Sequence, residues 1–241
     1  VLLTGVFFPQ NSSMVLLCIY TFGILLSVLM ARLFKRFLFN QEEVPFVMEL
    51  PPYRMPTGRS ILIHMWERSK QYLQKMGGII LIASVIIWFL GYFPRGSETS
   101  TTLEQQQNSY IGQIGQAIEP VMAPLGFDWK ISISLLSGMA AKEIIVSTLS
   151  VLYTGNEEED GQALSARLQQ DLYPDGSPVL TPLVALCLML FTLIYFPCVA
   201  TISAIVQESH SWKWGLFTVV YTCLVAWITT FLCYQIGHLF V

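Results

Sequence analysis

Residues 131–153 form an apolar run interrupted near its middle by Lys142 and Glu143. Read as one helix at about 1.5 Å per residue, the run is long enough to cross about 30 Å of hydrocarbon and sets both charges close to the midplane. A charge there costs at least about 2.5 to 3.5 kcal/mol, so it is kept in a protein-lined or watery cavity where it acts on an ion or substrate. On such a helix Met139, Glu143 and Ser147 follow one another at spacings of four, with Ser150 three further on, as a stripe of candidate ligands. The bland alternative is that Lys142 and Glu143 pair with other helices and only hold a bundle together.

The rest of the chain agrees with a membrane setting. Apolar residues make up 54% of it and charged residues 12%, with a mean hydropathy of +0.56. That places it outside the soluble globular class. The formal charge of -3 is small, and no basic tract points to nucleic acid. The five cysteines, Cys18, Cys187, Cys198, Cys223 and Cys233, all lie in apolar stretches without a CxxC or His-paired zinc pattern, which argues against a disulfide framework. Cys223 and Cys233 read as packing residues. The chain opens on Val1, with residues 1–8 reading as the tail of a helix already under way and no charged n-region of a signal peptide, so a missing N-terminal portion is expected.

The expected fold is all-α: a polytopic helical membrane protein with about five transmembrane spans, broken helices and an amphipathic interfacial helix. The spans are residues 14–33, 77–93, 131–153, 179–197 and 214–240. Residues 1–38 are expected to close one segment with its transmembrane helix. Residues 39–76 form a cytoplasmic segment: three prolines, Pro51, Pro52 and Pro56, exclude a regular helix around residues 49–56. Residues 60–76 then divide into an apolar side with Ile61, Leu62, Met65 and Trp66 and a polar side with Glu67, Arg68 and Lys70. Eight of the thirteen basic residues fall between Arg32 and Lys75, which puts that stretch in the cytoplasm. Gly77-Gly78 offers a place to bend before the second span. Residues 77–241 hold four spans and an acidic loop, residues 156–178, with six acids and one arginine; such a loop reads as solvated, with a cation-concentrating antechamber as the minority reading. Residues 110–129 mix glycine, proline and apolar residues, which leaves an interfacial placement and a half helix both open. In the fourth span Pro197 removes a backbone donor beside Cys198 and frees carbonyls that can face a cavity. Tyr20-Thr21 and Tyr221-Thr222 sit at similar depths after short polar loops, a weak internal echo of the kind duplicated transporters carry.

A transport site in a bundle needs broken helices, polar groups at depth and a means of neutralising the cargo. Glu143 in one span and Pro197-Cys198 in another supply these. A carboxylate, a thiolate and the Met139 thioether suit a borderline transition metal better than Ca²⁺ or Mg²⁺.

Several blocks also carry a resemblance: Phe46-Val47-Met48-Glu49-Leu50-Pro51-Pro52-Tyr53-Arg54-Met55-Pro56, Trp66-Glu67-Arg68, residues 135–143 reading Leu-Leu-Ser-Gly-Met-Ala-Ala-Lys-Glu, and Tyr195-Phe196-Pro197-Cys198-Val199-Ala200-Thr201. In this order, across most of residues 46–237, they resemble the C-terminal membrane half of the FeoB ferrous iron transporter family. The resemblance implies a multi-pass protein of the prokaryotic inner membrane that takes up Fe²⁺, with two related gate segments each bearing a cysteine. It makes Cys198 the second gate cysteine and puts residues 137–143 in the second gate segment. It also implies an N-terminal G domain, a small cytoplasmic partner protein and a homo-oligomer as an open question. No GxxxxGK[ST] loop occurs here, so GTP enters only through a domain this sequence lacks, and the first gate cysteine would lie upstream of Val1.

The expected metal-contacting residues are therefore Cys198, Glu143, Met139 and Ser147, with Lys142 and Pro197 as gating or ion-pair residues and Fe²⁺ as the transported ion. On this reading Lys142 pairs with Glu143 until metal displaces it. A carrier of nucleosides or other small organic solutes is the first rival, since gate-type segments occur in such proteins, but it would need more aromatic and amide groups at depth. An intramembrane enzyme built on Lys142 or Cys198 lacks a paired nucleophile and base. A subunit needed only for assembly would tolerate loss of both Glu143 and Cys198.

Overall fold

The computed structural model describes residues 2–38, 55, 57–94, 107–139, 142–154 and 179–239. Most of the Pro-rich segment and the whole acidic loop fall outside the described residues. Among those described there are helices and turns but no strand. In order they are α1 (Leu2–Phe7), α2 (Ser12–Phe37), α3 (Gly58–Tyr92), α4 (Tyr110–Met122), a 3₁₀ turn (Ala123–Leu125), α5 (Trp129–Ser137), α6 (Ile144–Thr154), α7 (Pro182–Ile194), α8 (Val199–Ser209) and α9 (Trp212–His238).

The chain forms two compact units, one of residues 20–78 and the other of residues 1–19 and 79–241. The smaller unit carries most of α2 and the first part of α3. Its apolar side chains, among them Leu25, Leu29, Leu62 and Trp66, are exposed, which is the surface a lipid environment accepts. The helical hydrogen-bonding pattern of α3 is unbroken through Gly77 and Gly78. Among the described residues three stretches are long and apolar enough to cross a membrane, Ser12–Phe37, Pro182–Ser209 and Trp212–His238; Leu81–Tyr92 and Ile144–Tyr153 are shorter apolar helices. The three long stretches overlap the expected spans 14–33, 179–197 and 214–240, whereas the two shorter helices cover only part of 77–93 and of 131–153.

In the larger unit the segment left open by sequence, residues 110–129, resolves into a helix that folds back on its successor. Ser109 caps α4, its Oγ accepting from the Gly112 N–H at 3.1 Å. The helix ends in the 3₁₀ turn, and Gly126 takes the left-handed conformation at φ 77°, where the Tyr234 ring would lie only 2.6 Å from an added Cβ. Asp128 then caps α5, its Oδ1 accepting from the Ile131 N–H at 2.8 Å. Both caps satisfy amides that a helix start leaves without partners. Gly115 lets α4 and α5 close up, because a Cβ there would come within 2.6 Å of Ile133.

The core is one cluster of buried side chains from α5, α6, α7 and α9, with α9 packed along α7. Leu125, Phe127, Ile131, Leu149, Leu152, Leu180 and Leu188 are almost wholly buried, and Phe127 meets Phe191 edge to face with centroids 5.7 Å apart. Half of the most apolar stretch of Pro182–Ser209 is buried, against none for α2. The α7–α8 segment is thus the central element of this unit. Cys187 is fully buried with its thiol beside that of Cys233, and all five cysteines are free thiols.

Candidate functional site

The run expected to be one helix over residues 131–153 is two. Helix α5 stops at Ser137, where the Gly138 N–H bonds Ser134 and Leu136 and the Met139 N–H bonds Leu136 at 3.1 Å. Lys142 and Glu143 lie in a turn, and α6 starts after them with the Ile145 N–H on the Lys142 carbonyl at 3.2 Å. Gly138 makes the break possible. A Cβ there would collide with Ile145 Cγ1 and lie 2.6 Å from the Tyr195 hydroxyl, so that space belongs to side chains from the next helix and from α7.

The second break follows α7. The Tyr195 N–H closes the last turn on Phe191 at 2.8 Å, and the chain is then non-helical until Val199. In a continuous helix the Leu193 carbonyl would accept from residue 197, but Pro197 has no N–H. The Thr192 carbonyl would accept from Phe196, but the backbone turns extended at Tyr195 (ψ -169°) and leaves the helix before that residue. Two carbonyls at the negative pole of α7 are left without helical partners. Cys198 opens α8: its carbonyl accepts from Thr201 and Ile202, and its thiol lies 3.1 Å from the Thr201 hydroxyl.

These breaks, separated by some 50 residues of chain, satisfy each other. The Lys142 ammonium donates to the Thr192 carbonyl at 3.0 Å, with the Leu193 carbonyl at 3.5 Å, and stands 5.4 Å from the centroid of the Tyr195 ring. In return the Tyr195 hydroxyl donates at 3.2 Å to the carbonyl of Leu135. The Met139 N–H, the regular helical partner of that carbonyl, has turned to Leu136. Each helix end therefore borrows its cap from the other break. Glu143 and Cys198 both act electrostatically on Lys142, so an ammonium, a carboxylate, a thiol and two carbonyls share one neighbourhood.

The expected site residues are distributed unevenly around it. Cys198 is half-buried, Glu143 is exposed in the turn and Ser147 is exposed on α6. Met139, Glu143 and Ser147 do not form one helical stripe, because the break separates Met139 from α6. Met139 instead lines a pocket of about 540 Å³ with Ser132, Tyr195, Phe196, Cys223 and Trp227 among mainly aliphatic neighbours. Lys142 is held by carbonyls of α7 rather than by Glu143. Among the described residues no three His, Cys, Asp or Glu side chains come together as a metal site. The Tyr195 hydroxyl and the Thr192 and Leu193 carbonyls are the functional groups that sequence reasoning missed. Only the placing of Tyr195 two residues before Pro197, at the end of an apolar helix, could have signalled the first of them.

Interrupted helices whose breaks face one another, in a chain of long apolar helices, define a polytopic membrane protein of the discontinuous-helix class that transporters use. Two family models match the chain: the gate model, described as nucleoside recognition, over residues 73–212, and the ferrous iron transport protein B C terminus over residues 16–68. A fusion of Fe(2+) transport protein A with the Fe(2+) transporter FeoB from Porphyromonas gingivalis is 50% identical, covering 99% of this chain and 32% of its own length. The Fe(2+) transporters FeoB of Leptospira biflexa and Campylobacter jejuni are 39% and 36% identical over 98% and 99% of the chain, and 34% and 39% of their own lengths. No solved structure matches. The chain belongs to the FeoB ferrous iron transporter family and comprises its gate and C-terminal membrane regions. It spans about a third of the length of the curated relatives it matches.

Proposed function

We propose that this chain is the membrane permease portion of a ferrous iron uptake transporter and that Fe²⁺ passes where the breaks after α5 and α7 face each other. The observation that carries this reading is the pair of carbonyls stranded at the end of α7 beside Lys142, Glu143 and Cys198. A borderline cation suits a mixed set of thiolate and carboxylate donors. Cys198 and Glu143 are the first contacts on this reading, Met139 and Ser147 accessory donors on either side, and Pro197 the residue that keeps the helix open. Lys142 yields its place as the ion arrives.

The relatives are named as Fe²⁺ transporters, and one is fused to a transport protein A. By analogy this chain works in a prokaryotic inner membrane with a guanine-nucleotide-binding domain and a small cytoplasmic partner, and subunits of the same kind assemble around it. The nucleoside-carrier reading is not favoured: although the gate model is described by nucleoside recognition, the large pocket has aromatic walls and no Asn or Gln among its described lining residues. The test is anaerobic radio-iron uptake in cells expressing the complete transporter. Cys198→Ser and Glu143→Gln each lower the initial rate about tenfold or more at unchanged membrane abundance, the scale of a lost charge-assisted or ligand contact. Full uptake in both variants would remove these residues from the path.

A further inference from the structure

Lys142 sits where a metal ion would be expected to sit. Its ammonium is held by two main-chain oxygens at the negative end of α7, over an aromatic face, and within electrostatic reach of a carboxylate and a thiol. Nothing in that shell requires an ammonium. Carbonyls released from a helix end bind cations in transport proteins because they offer oxygen donors already desolvated and held in place. Lys142 is held in the seat as the resident cation, tethered by its own chain.

Resting on the reading of this chain as an Fe²⁺ permease, we propose that the Thr192 and Leu193 carbonyls form an oxygen-donor seat for a divalent cation, for which the Lys142 ammonium competes. Two features favour a seat over a mere cap. Pro197 abolishes the amide that would otherwise occupy the Leu193 carbonyl, so its vacancy is built into the sequence. The Tyr195 backbone is extended at ψ -169°, which carries the Phe196 N–H away, so the Thr192 carbonyl is also kept from closing another helical turn. When the ammonium leaves, two carbonyls, the Glu143 carboxylate and the Cys198 sulfur remain for the incoming ion, a mixed oxygen and sulfur set that suits Fe²⁺ better than Mg²⁺ or Ca²⁺. The lysine then neutralises the seat while it is empty and cannot share it with the ion, because two like charges at that separation repel strongly in a medium of low dielectric.

The test is equilibrium Fe²⁺ binding to the full chain in lipid nanodiscs under anaerobic conditions. Removing the tethered charge with Lys142→Leu, which adds no donor atom, should tighten binding about tenfold or more, about 1.4 kcal/mol per tenfold, whereas Lys142→Arg should stay near the parent. Lys142→Ala and Lys142→Val, read in the same assay, keep the test valid if the Leu variant unfolds. Equal or weaker Fe²⁺ affinity in the monodisperse uncharged variants would overturn the competition. Failure of the parent transporter to take up iron would instead overturn the proposed function, while the binding comparison still reads the seat.

Discussion

Gly138→Ala probes the junction of the two breaks directly. Its φ of -66° and ψ of -10° suit alanine, so the perturbation is steric alone. The new methyl would collide with Ile145 Cγ1 and lie 2.6 Å from both Ile145 Cδ1 and the Tyr195 hydroxyl. Overpacking of this kind costs about 1–3 kcal/mol. If the hydroxyl moves away it also abandons the Leu135 carbonyl, and a buried acceptor left unsatisfied adds about 1–3 kcal/mol. With both contributions the total is about 2–6 kcal/mol, which lowers the unfolding temperature of a chain this size by roughly 4–24 °C, at about 2–4 °C per kcal/mol. Tyr195→Phe alone removes only the hydrogen bond. The double variant loses that bond once, and it no longer has a hydroxyl in the way of the methyl. Its loss should therefore fall short of the sum of the single losses by about 1–3 kcal/mol. The assay is the monodisperse fraction remaining after heating in one detergent, for the parent and all three variants. Additive losses, or a Gly138→Ala protein as stable as its parent, would refute the reciprocal capping derived from the Tyr195 bond.

Two further outcomes test the turn that leads into α5. Asp128→Ala should lose about 0.5–2 kcal/mol, the usual value of a helix N-cap, while Asp128→Asn keeps most of it; thermal unfolding of the three proteins reads the difference. Gly126→Ala should lose at least about 1–2 kcal/mol in the same assay, because its φ of 77° disfavours a side chain and the Tyr234 ring occupies the space.

The fold class was legible because membrane helices declare themselves through length and composition: the runs at residues 14–33 and 214–240 could hardly be anything else. The break beside Cys198 was legible too, since Pro197 alters the backbone by itself. The break after Ser137 was not. Alanine, lysine and glutamate after Met139 are all good helix formers, and Gly138 is the only local irregularity. That interruption is imposed from outside, by Ile145 and Tyr195 filling the room beside Gly138 and by the exchange of caps between Lys142 and Tyr195. Partners some 50 to 60 residues apart leave no periodic trace. Lys142 and Glu143 stand out in the sequence as charges in an apolar run, yet the lysine's actual neighbours, backbone oxygens of another helix, have no side-chain signature to read. Met139 was assigned to the wrong helix face because its neighbours were counted along a cylinder that ends one residue before Gly138.

The crossed caps at the two interruptions have a consequence for how such a sequence can drift over generations. A lineage that replaced Tyr195 with a residue lacking a hydroxyl would loosen the turn that carries Lys142, and one that shortened Lys142 would strand the end of the helix that presents Tyr195. Neither position can change without altering selection on the other. Substitutions at 142 and 195 should therefore arrive as pairs, although the two positions lie more than 50 residues apart.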